Sequence, residues 1–257
     1  MRLTVFKQVV LLMYLVPLIA SPPALAHDVR ELLQRGDSAQ TAKDPRAALR
    51  LYQQAARADG SNPDVLWRIS KVYTDLAIAA RTEKAAIQQT DRAIASARRA
   101  VSVSPRHAMA HAVLAVAYGQ KAVYVPNTEK MELSKLLHAH ARTALEIDAS
   151  NTVAMLVLGI WHREVASLGW VVRTLLKAVY DDVPEATLDQ SRQLLLRAVE
   201  LQPKQIMPRI ELAKTLLELD EDAAAARQLR MAISLPPWDV HDARRLDEAR
   251  ALLKEIS

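Results

Sequence analysis

The 257-residue sequence contains no cysteine, only five glycines and a single phenylalanine. Without cysteine the chain has no disulfide bonds and no thiolate chemistry. Apolar and polar residues nowhere alternate over a length that would indicate a β-sheet, and apolar residues instead recur with helical spacing in Ala-, Leu- and Arg-rich sequence. Glycine-rich phosphate loops, nucleophile elbows and HExxH zinc motifs are also missing. The sequence therefore favours an all-α protein without a recognisable catalytic motif.

The charge of the chain is only weakly biased. Lys and Arg number 34 against 29 Asp and Glu, a net charge of +5, and two of the positive charges, Arg2 and Lys7, lie in the first 26 residues, which contain no acid. The remaining charges alternate in sign along predicted helices, as on solvated helix surfaces. This pattern does not predict nucleic-acid binding.

Residues 1–26 have the form of an export signal. A basic start precedes an apolar run over residues 9–20, and Ala24–Leu25–Ala26 is a small-x-small cleavage site. The run is shorter than the ~20 residues that a membrane-spanning helix needs. We expect cleavage to leave a mature chain that starts at His27, periplasmic or secreted. The alternative is an uncleaved N-terminal segment that anchors the protein to the membrane.

A pair of small residues recurs along the rest of the chain. One member of each pair lies in a predicted first helix, and these residues are Gly36, Ser70, Ala115, Gly159 and Ala213. The other member is an alanine shortly before the end of a predicted second helix, and these residues are Ala55, Ala100, Ala144, Ala198 and Ala232. Small residues at such positions let two helices approach closely. The recurrence predicts a helical hairpin that is repeated five times.

The spacing of these pairs identifies the repeat. Successive second-helix alanines are 45, 44, 54 and 34 residues apart, so the shortest step matches the 34-residue tetratricopeptide repeat. The three middle units carry about 10, 10 and 20 additional residues. Residues 27–257 are thus predicted to form one all-α domain, a right-handed superhelix of about five tetratricopeptide-like hairpins. A C-terminal helix at about 240–255 is expected to cap it.

Several stretches resemble one family of such proteins. They include WRISKVYTDL (67–76), GIWHREVASLGW (159–170), RAVELQP (197–203) and AISLPPWDVHD (232–242). In these the chain resembles the regulator of microtubule dynamics proteins and their bacterial relatives. The resemblance implies a helical-repeat fold without catalytic residues. Eukaryotic relatives are associated with microtubules or organelle contacts, one of them with lipid binding by its repeat domain. For an exported protein we expect only partner or lipid binding to carry over.

The predicted binding surface is the concave groove that first helices line in such solenoids. Counting from the small residue of each first helix selects these groove positions: Trp67, Lys71, Met109, Val116, Leu156, Ile160, Arg163, Ile210 and Lys214. The predicted wall is mainly apolar, with Lys71, Arg163 and Lys214 as fixed positive charges. One interpretation is that residues 168–182 or the C-terminal helix fold over the wall and close it. In the other, the wall holds an acyl chain or the apolar face of a partner helix.

Four histidines raise the alternative of a metal site. His107 and His111 are four residues apart on a predicted helix, and His138 or His140 on the following helix could supply a third nitrogen. The simpler interpretation places His107 at the helix start and packs His111 between helices. We predict no catalytic metal and no cofactor.

The sequence therefore predicts a non-enzymatic, exported scaffold or adaptor. Its expected partner is another protein of the cell envelope, bound in the concave groove, and it is not expected to bind nucleic acid. The alternative function is binding or transfer of a lipid or other apolar ligand in the same groove.

Overall fold

The computed structural model describes residues 23–169 and 185–256, and this part of the chain is built from α-helices joined by short loops. The helices are α1 (Pro23–Thr41), α2 (Pro45–Ala58), α3 (Pro63–Ile78), α4 (Glu83–Val103), α5 (Ala108–Ala122), α6 (Asn127–Ile147), α7 (Thr152–Ala166), α8 (Leu188–Leu201), α9 (Ile206–Glu218), α10 (Asp222–Ile233) and α11 (Asp242–Glu255). None of them combines the length and the apolar character needed to cross a bilayer.

The helices pack as five consecutive hairpins. Hairpin 1 is α1 with α2, hairpin 2 is α3 with α4, hairpin 3 is α5 with α6, hairpin 4 is α7 with α8, and hairpin 5 is α9 with α10. Each second helix also packs on the next first helix, and the first helices α3, α5, α7 and α9 contact one another in turn. The last helix, α11, packs on α9 and α10. The predicted all-α superhelical repeat, with its C-terminal cap, is confirmed.

The small residues hold the hairpins in register. All five second-helix alanines are completely buried, at 0% exposure, and the five first-helix small residues are buried as well. Gly159 shows why: a Cβ atom built there would lie 2.6 Å from Cγ of Leu195, so α7 and α8 touch through the missing side chain. The predicted pairing therefore holds in hairpin 4 too, where the inserted segment is longest.

The loops between hairpins repeat a hydrogen-bonding pattern. In hairpins 1 to 4 the carbonyl of the buried alanine accepts the last helical hydrogen bond of the second helix. The residue seven positions later is the N-cap of the next first helix. Asn62, His107 and Asn151 fill this position with side chains that accept backbone N–H bonds, whereas Gln205 makes no such bond. Each hairpin thus ends and the next begins at a fixed distance.

The extra residues of hairpins 2 and 3 lengthen their second helices. α4 and α6 have 21 residues each, against 14 in α2 and α8. Because the buried alanine lies at the same distance from the C-terminal end in all four, the added residues lie at the N-terminal ends of α4 and α6. The extra segment of hairpin 4, predicted at residues 168–182, falls mostly outside the described residues.

The apolar core is a row of clusters between neighbouring helices. Val29, Tyr52 and Val72 belong to the cluster of hairpins 1 and 2, and Leu195 and Leu229 belong to that of hairpins 4 and 5. Since each hairpin shields its apolar side only by stacking on the next, the fold depends on neighbours along the chain.

Candidate functional site: the concave groove

A cavity of about 380 Å³ lies between the first helices of hairpins 2, 3 and 5 and the cap. We call it the inner cavity. Its lining residues come from the ends of α3 and α5, from α9 and from α11: Ile78, Gln120, Val123, Tyr124, Met207, Ile210, Glu211, Arg244, Arg245 and Glu248. The superhelix thus brings hairpins 2, 3 and 5 and the cap to one place. Its volume is within the range of small-ligand pockets.

The inner cavity has both apolar and polar walls. Ile78, Val123, Met207 and Ile210 supply apolar surface, and the helices α9 and α11 add charged groups. On the α5 side, Gln120 Nε2 donates a hydrogen bond to the hydroxyl of Tyr124 at 3.2 Å. Such a surface can hold an apolar group and orient a polar one beside it.

The nine predicted groove residues do not all reach this cavity. Of them, only Ile210 lines it, at 1% exposure, and Arg163 is also buried, at 5%. Trp67 and Met109 pack against the core of hairpins 2 and 3. The partly exposed positions are Trp67, Lys71, Met109, Val116, Leu156, Ile160 and Lys214. Binding of a partner by these nine residues stays a prediction. Arg163 and Ile210 are almost fully buried, so a partner could contact them only after a movement of the surrounding helices.

The three side chains predicted to supply positive charge are each paired with a carboxylate. Lys71 Nζ lies 2.8 Å from Asp75 Oδ2, and Arg163 Nη2 lies 2.8 Å from Glu211 Oε2. Lys214 Nζ lies 3.0 Å from Glu211 Oε1 and 2.6 Å from Oε1 of a cap residue, Glu248. Arg163, Lys214 and the two glutamates therefore form a network between α7, α9 and α11. The guanidinium of Arg163 is covered and paired in this structure, so a ligand head group would have to replace Glu211 beside it, and binding by Arg163 stays a prediction.

The network also shifts the acid–base properties of its members. Burial alone would lower the pKa of Lys214, but the carboxylates of Glu211 and Glu248 outweigh burial and raise it. For Arg163, burial is likewise outweighed by Glu211 and Glu164, so its pKa is raised. Both cations stay charged at neutral pH, as a buried ion network requires.

The histidines near the start of hairpin 3 have structural roles. His107 caps α5 by accepting the N–H of Ala110 at 3.2 Å. His111 Nδ1 lies 2.9 Å from Nδ1 of His140, and its Nε2 lies 3.0 Å from the carbonyl oxygen of Pro105. Over residues 23–169 and 185–256 no group of three or more potential ligands converges on one point. The structure therefore supports the packing interpretation of His107 and His111.

A second group of histidines lies between α6 and α7. The ring of His138 packs 4.3 Å from the ring of Trp161, whose indole N–H donates to Ser134 Oγ at 2.9 Å. His162 lies three residues after Gly159, where Tyr73 and Tyr118 stand in hairpins 2 and 3. Burial lowers the pKa of both histidines, that of His138 to about 4 with nearby positive charges contributing.

Part of the inner cavity could have been found from the sequence. Ile78 and Val123 stand eight residues after the small residues Ser70 and Ala115, so they continue the face used for the prediction by one more turn. The cap residues Arg244, Arg245 and Glu248 carry no such signal, since their place depends on how far the superhelix closes.

Hairpins stacked in sequence order around an inner groove define a helical-repeat scaffold of the tetratricopeptide type. A solved structure with this fold is a tetratricopeptide-repeat protein of Thermus thermophilus, TTC0263, with a TM-score of 0.62 and 17% identity. The alignment covers 87% of this chain and 99% of that one.

The family model described as "Regulator of microtubule dynamics protein 1-3" matches residues 26–257, and the chain belongs to this family. It is 25% identical to Regulator of microtubule dynamics protein 3 of Xenopus laevis over 221 residues, 85% of this chain and 48% of that protein. It is 23% identical to protein 1 of Bos taurus, covering 91% of this chain and 74% of that protein. The chain spans about half the length of the protein 3 relatives.

Proposed function

We propose that the protein is a non-enzymatic scaffold that binds another protein through its concave groove. The observation that carries this proposal is the inner cavity, where three hairpins and the cap converge with apolar and polar side chains. A side chain of a partner can enter such a cavity as an anchor while the partly exposed first-helix residues contact its flanks.

The test uses two matched valines. Val123, at the end of α5, lines the cavity and is 65% exposed, whereas Val103, the last residue of α4, is not among the lining residues and is 42% exposed. Val123→Asp places a charge in the groove and is expected to weaken capture of the partner about tenfold. Val103→Asp adds the same charge at another helix end and should leave capture unchanged. Equal capture by both variants in quantitative cross-linking from envelope extracts would contradict the proposal.

Substituting Lys71, Arg163 and Lys214 together would be a poor test of groove binding. Removing Arg163 leaves Glu211, itself 7% exposed, without its buried guanidinium partner. Loss of one member of a buried ion pair destabilises a fold strongly. A binding defect in that triple variant would therefore report folding as well as recognition.

We also propose that the protein acts outside the cytoplasm, on the evidence of the signal-like residues 1–26. Cleavage after Ala26 would keep Val29, the first core residue in the part of the chain whose burial is described. Mass spectrometry of the protein purified from its own host should find His27 as the N-terminus. An intact Met1 in a cytoplasmic fraction would contradict export, and an intact Met1 in the membrane fraction would indicate an anchor.

A second candidate function is carriage of an apolar ligand in the same place. The apolar side chains of Ile78, Val123, Met207 and Ile210 in the inner cavity favour it. Native mass spectrometry after gentle isolation should then show a ligand-bound mass that Val123→Asp reduces. A ligand-free mass under these conditions would count against it.

A further inference from the structure

The C-terminal segment contacts hairpin 2 across the groove. His241, just before α11, places Nε2 3.6 Å from Asp75 Oδ1 on α3. Both residues are buried, His241 at 8% and Asp75 at 7% exposure. Since about 165 residues and three whole hairpins separate them, this contact links the C-terminal end of the superhelix to hairpin 2.

Side chains of hairpins 1 and 2 position Asp75 for this contact. Lys71 Nζ donates to Asp75 Oδ2 at 2.8 Å, and Gln40 Nε2 of α1 donates to the same oxygen at 3.4 Å. Burial would raise the pKa of Asp75, but His241 and Lys71 outweigh burial and lower it, so the carboxylate is charged. The other oxygen, Oδ1, faces His241.

His241 is presented by a tightly bonded turn. Asp239 Oδ1 accepts the N–H of His241 at 2.8 Å, and Asp242 Oδ2 accepts the N–H groups of Trp238 at 2.9 Å and Asp239 at 2.7 Å. Arg245 Nη1 donates to both carboxylates, at 3.1 and 2.9 Å. The imidazole is therefore positioned before it meets Asp75, and little entropy is lost in making the contact.

The apolar contacts of the cap are made elsewhere. Leu246 and Ala249 of α11 belong to the cluster that contains Leu216 and Leu229 of hairpin 5. Leu195 and Val199 of α8 belong to the same cluster, so the cap, hairpin 5 and α8 form one packed body. The inner cavity lies between that body and hairpins 2 and 3, so the two sides are not densely packed against each other there.

We propose that the His241–Asp75 contact is a clasp that holds the superhelix closed over the groove. When the clasp opens, this packed body moves away from hairpin 2 and widens the inner cavity beside Ile210. Arg244, Arg245 and Glu248 of the cap line one side of the inner cavity, so opening of the clasp widens the space that a side chain of a partner can enter. The identity of the molecule that binds in the groove rests on the proposed function. The closing of the superhelix by the clasp does not rest on it.

The absence of cysteine allows a direct test on the full chain. Nitroxide labels at Val123→Cys and Arg244→Cys stand on the α5 and α11 walls of the inner cavity. Their distance distribution is measured by electron paramagnetic resonance without a partner. Adding His241→Ala is expected to broaden the distribution and shift it by several ångström to longer distances. Asp75→Asn should do the same, and circular dichroism checks that each variant is folded.

The matched control is Asp247→Asn, which removes an exposed charge from α11 where it pairs with Arg250. This variant should keep the original distances, and His241→Gln, which keeps a polar side chain beside Asp75, should fall between the control and His241→Ala. Distances in folded His241→Ala equal to those of the control would overturn the clasp. His241→Ala alone decides the question if Asp75→Asn does not fold.

The clasp proposal and the groove-binding proposal can be refuted independently. If His241→Ala widens the spacing and increases partner capture, both proposals gain support. If the spacing widens while Val123→Asp leaves capture unchanged, the clasp stands and the groove function is wrong. If Val123→Asp abolishes capture while His241→Ala leaves the spacing unchanged, the groove function stands and the clasp is wrong.

Discussion

Replacing Gly159 by alanine tests the contact that sets the register of hairpin 4. The new Cβ would lie 2.6 Å from Cγ and 2.8 Å from Cδ2 of Leu195. These atoms lie near the branch of a completely buried side chain, which has no free space into which to turn. We therefore expect α7 and α8 to be pushed apart.

The size of the effect follows from two opposing terms. Overpacking of a well-packed core destabilises by about 1–3 kcal/mol, while alanine in a helix is about 1 kcal/mol better than glycine. Gly119→Ala is the matched control, because its Cβ would meet only Cδ1 of Leu137, at 3.0 Å, and that methyl group can shift. Both substitutions gain helix propensity, so their difference is the overpacking term. Gly159→Leu adds three more carbons and should destabilise further.

Urea and thermal unfolding followed by circular dichroism measure this difference. For a chain of this size 1 kcal/mol corresponds to about 2–4 °C in Tm, so an overpacking term of about 1–3 kcal/mol should make Gly159→Ala melt about 2–12 °C below Gly119→Ala. Leu195→Ala should destabilise less in the Gly159→Ala background than in the unaltered protein, because it removes the atoms that the new Cβ meets. A folded Gly159→Ala protein that melts at or above Gly119→Ala would show that the two helices do not meet at this glycine.

Two further predictions concern buried charges and histidines. Glu211→Gln removes the carboxylate that Arg163 and Lys214 share, and we expect it to destabilise the fold by about 2–4 kcal/mol in urea unfolding. The control Glu200→Gln, in an exposed ion pair, should change stability by less than about 0.5 kcal/mol. Similar effects of the two variants would contradict a buried network. His138 has a pKa lowered to about 4 by burial, against 6.5 when unfolded, so the unfolded chain binds the proton first as pH falls. Its stabilising contribution is therefore complete above pH 6.5 and is lost as pH falls towards 4, by about 1–2 kcal/mol between pH 7.5 and 5; a His138→Gln variant with the same pH dependence would exclude this residue as the cause.

The helices and their register could be predicted because both depend on local spacing. Ala100 and Ala198 mark places where a bulky side chain would separate two helices, and the same spacing recurs in every unit. His107 could also have been interpreted correctly. It stands seven residues after Ala100, just as Asn62 and Asn151 follow their own alanines, and a residue at that position caps a helix.

The direction of Arg163 and the place of the cap could not be predicted in this way. Arg163 lies on the helix face selected for the groove, but it is paired with Glu211, 48 residues further along the chain. No local sequence pattern predicts that pair. The approach of His241 to Asp75 depends on small rotations added over several hairpins. A slight error in each rotation would leave the two residues far apart, so only a three-dimensional structure shows their contact.

The lengthened helices α4 and α6 exceed α2 and α8 by seven residues, 21 against 14. Seven residues are nearly two full helical turns, so the added part keeps its apolar side within about 20° of the original direction. An insertion of five residues would instead turn the helix start well away from its neighbour. Hairpins of this chain can therefore grow or shrink in evolution by seven-residue steps without losing their fit to the stack, and a designer could shorten α4 or α6 by the same amount.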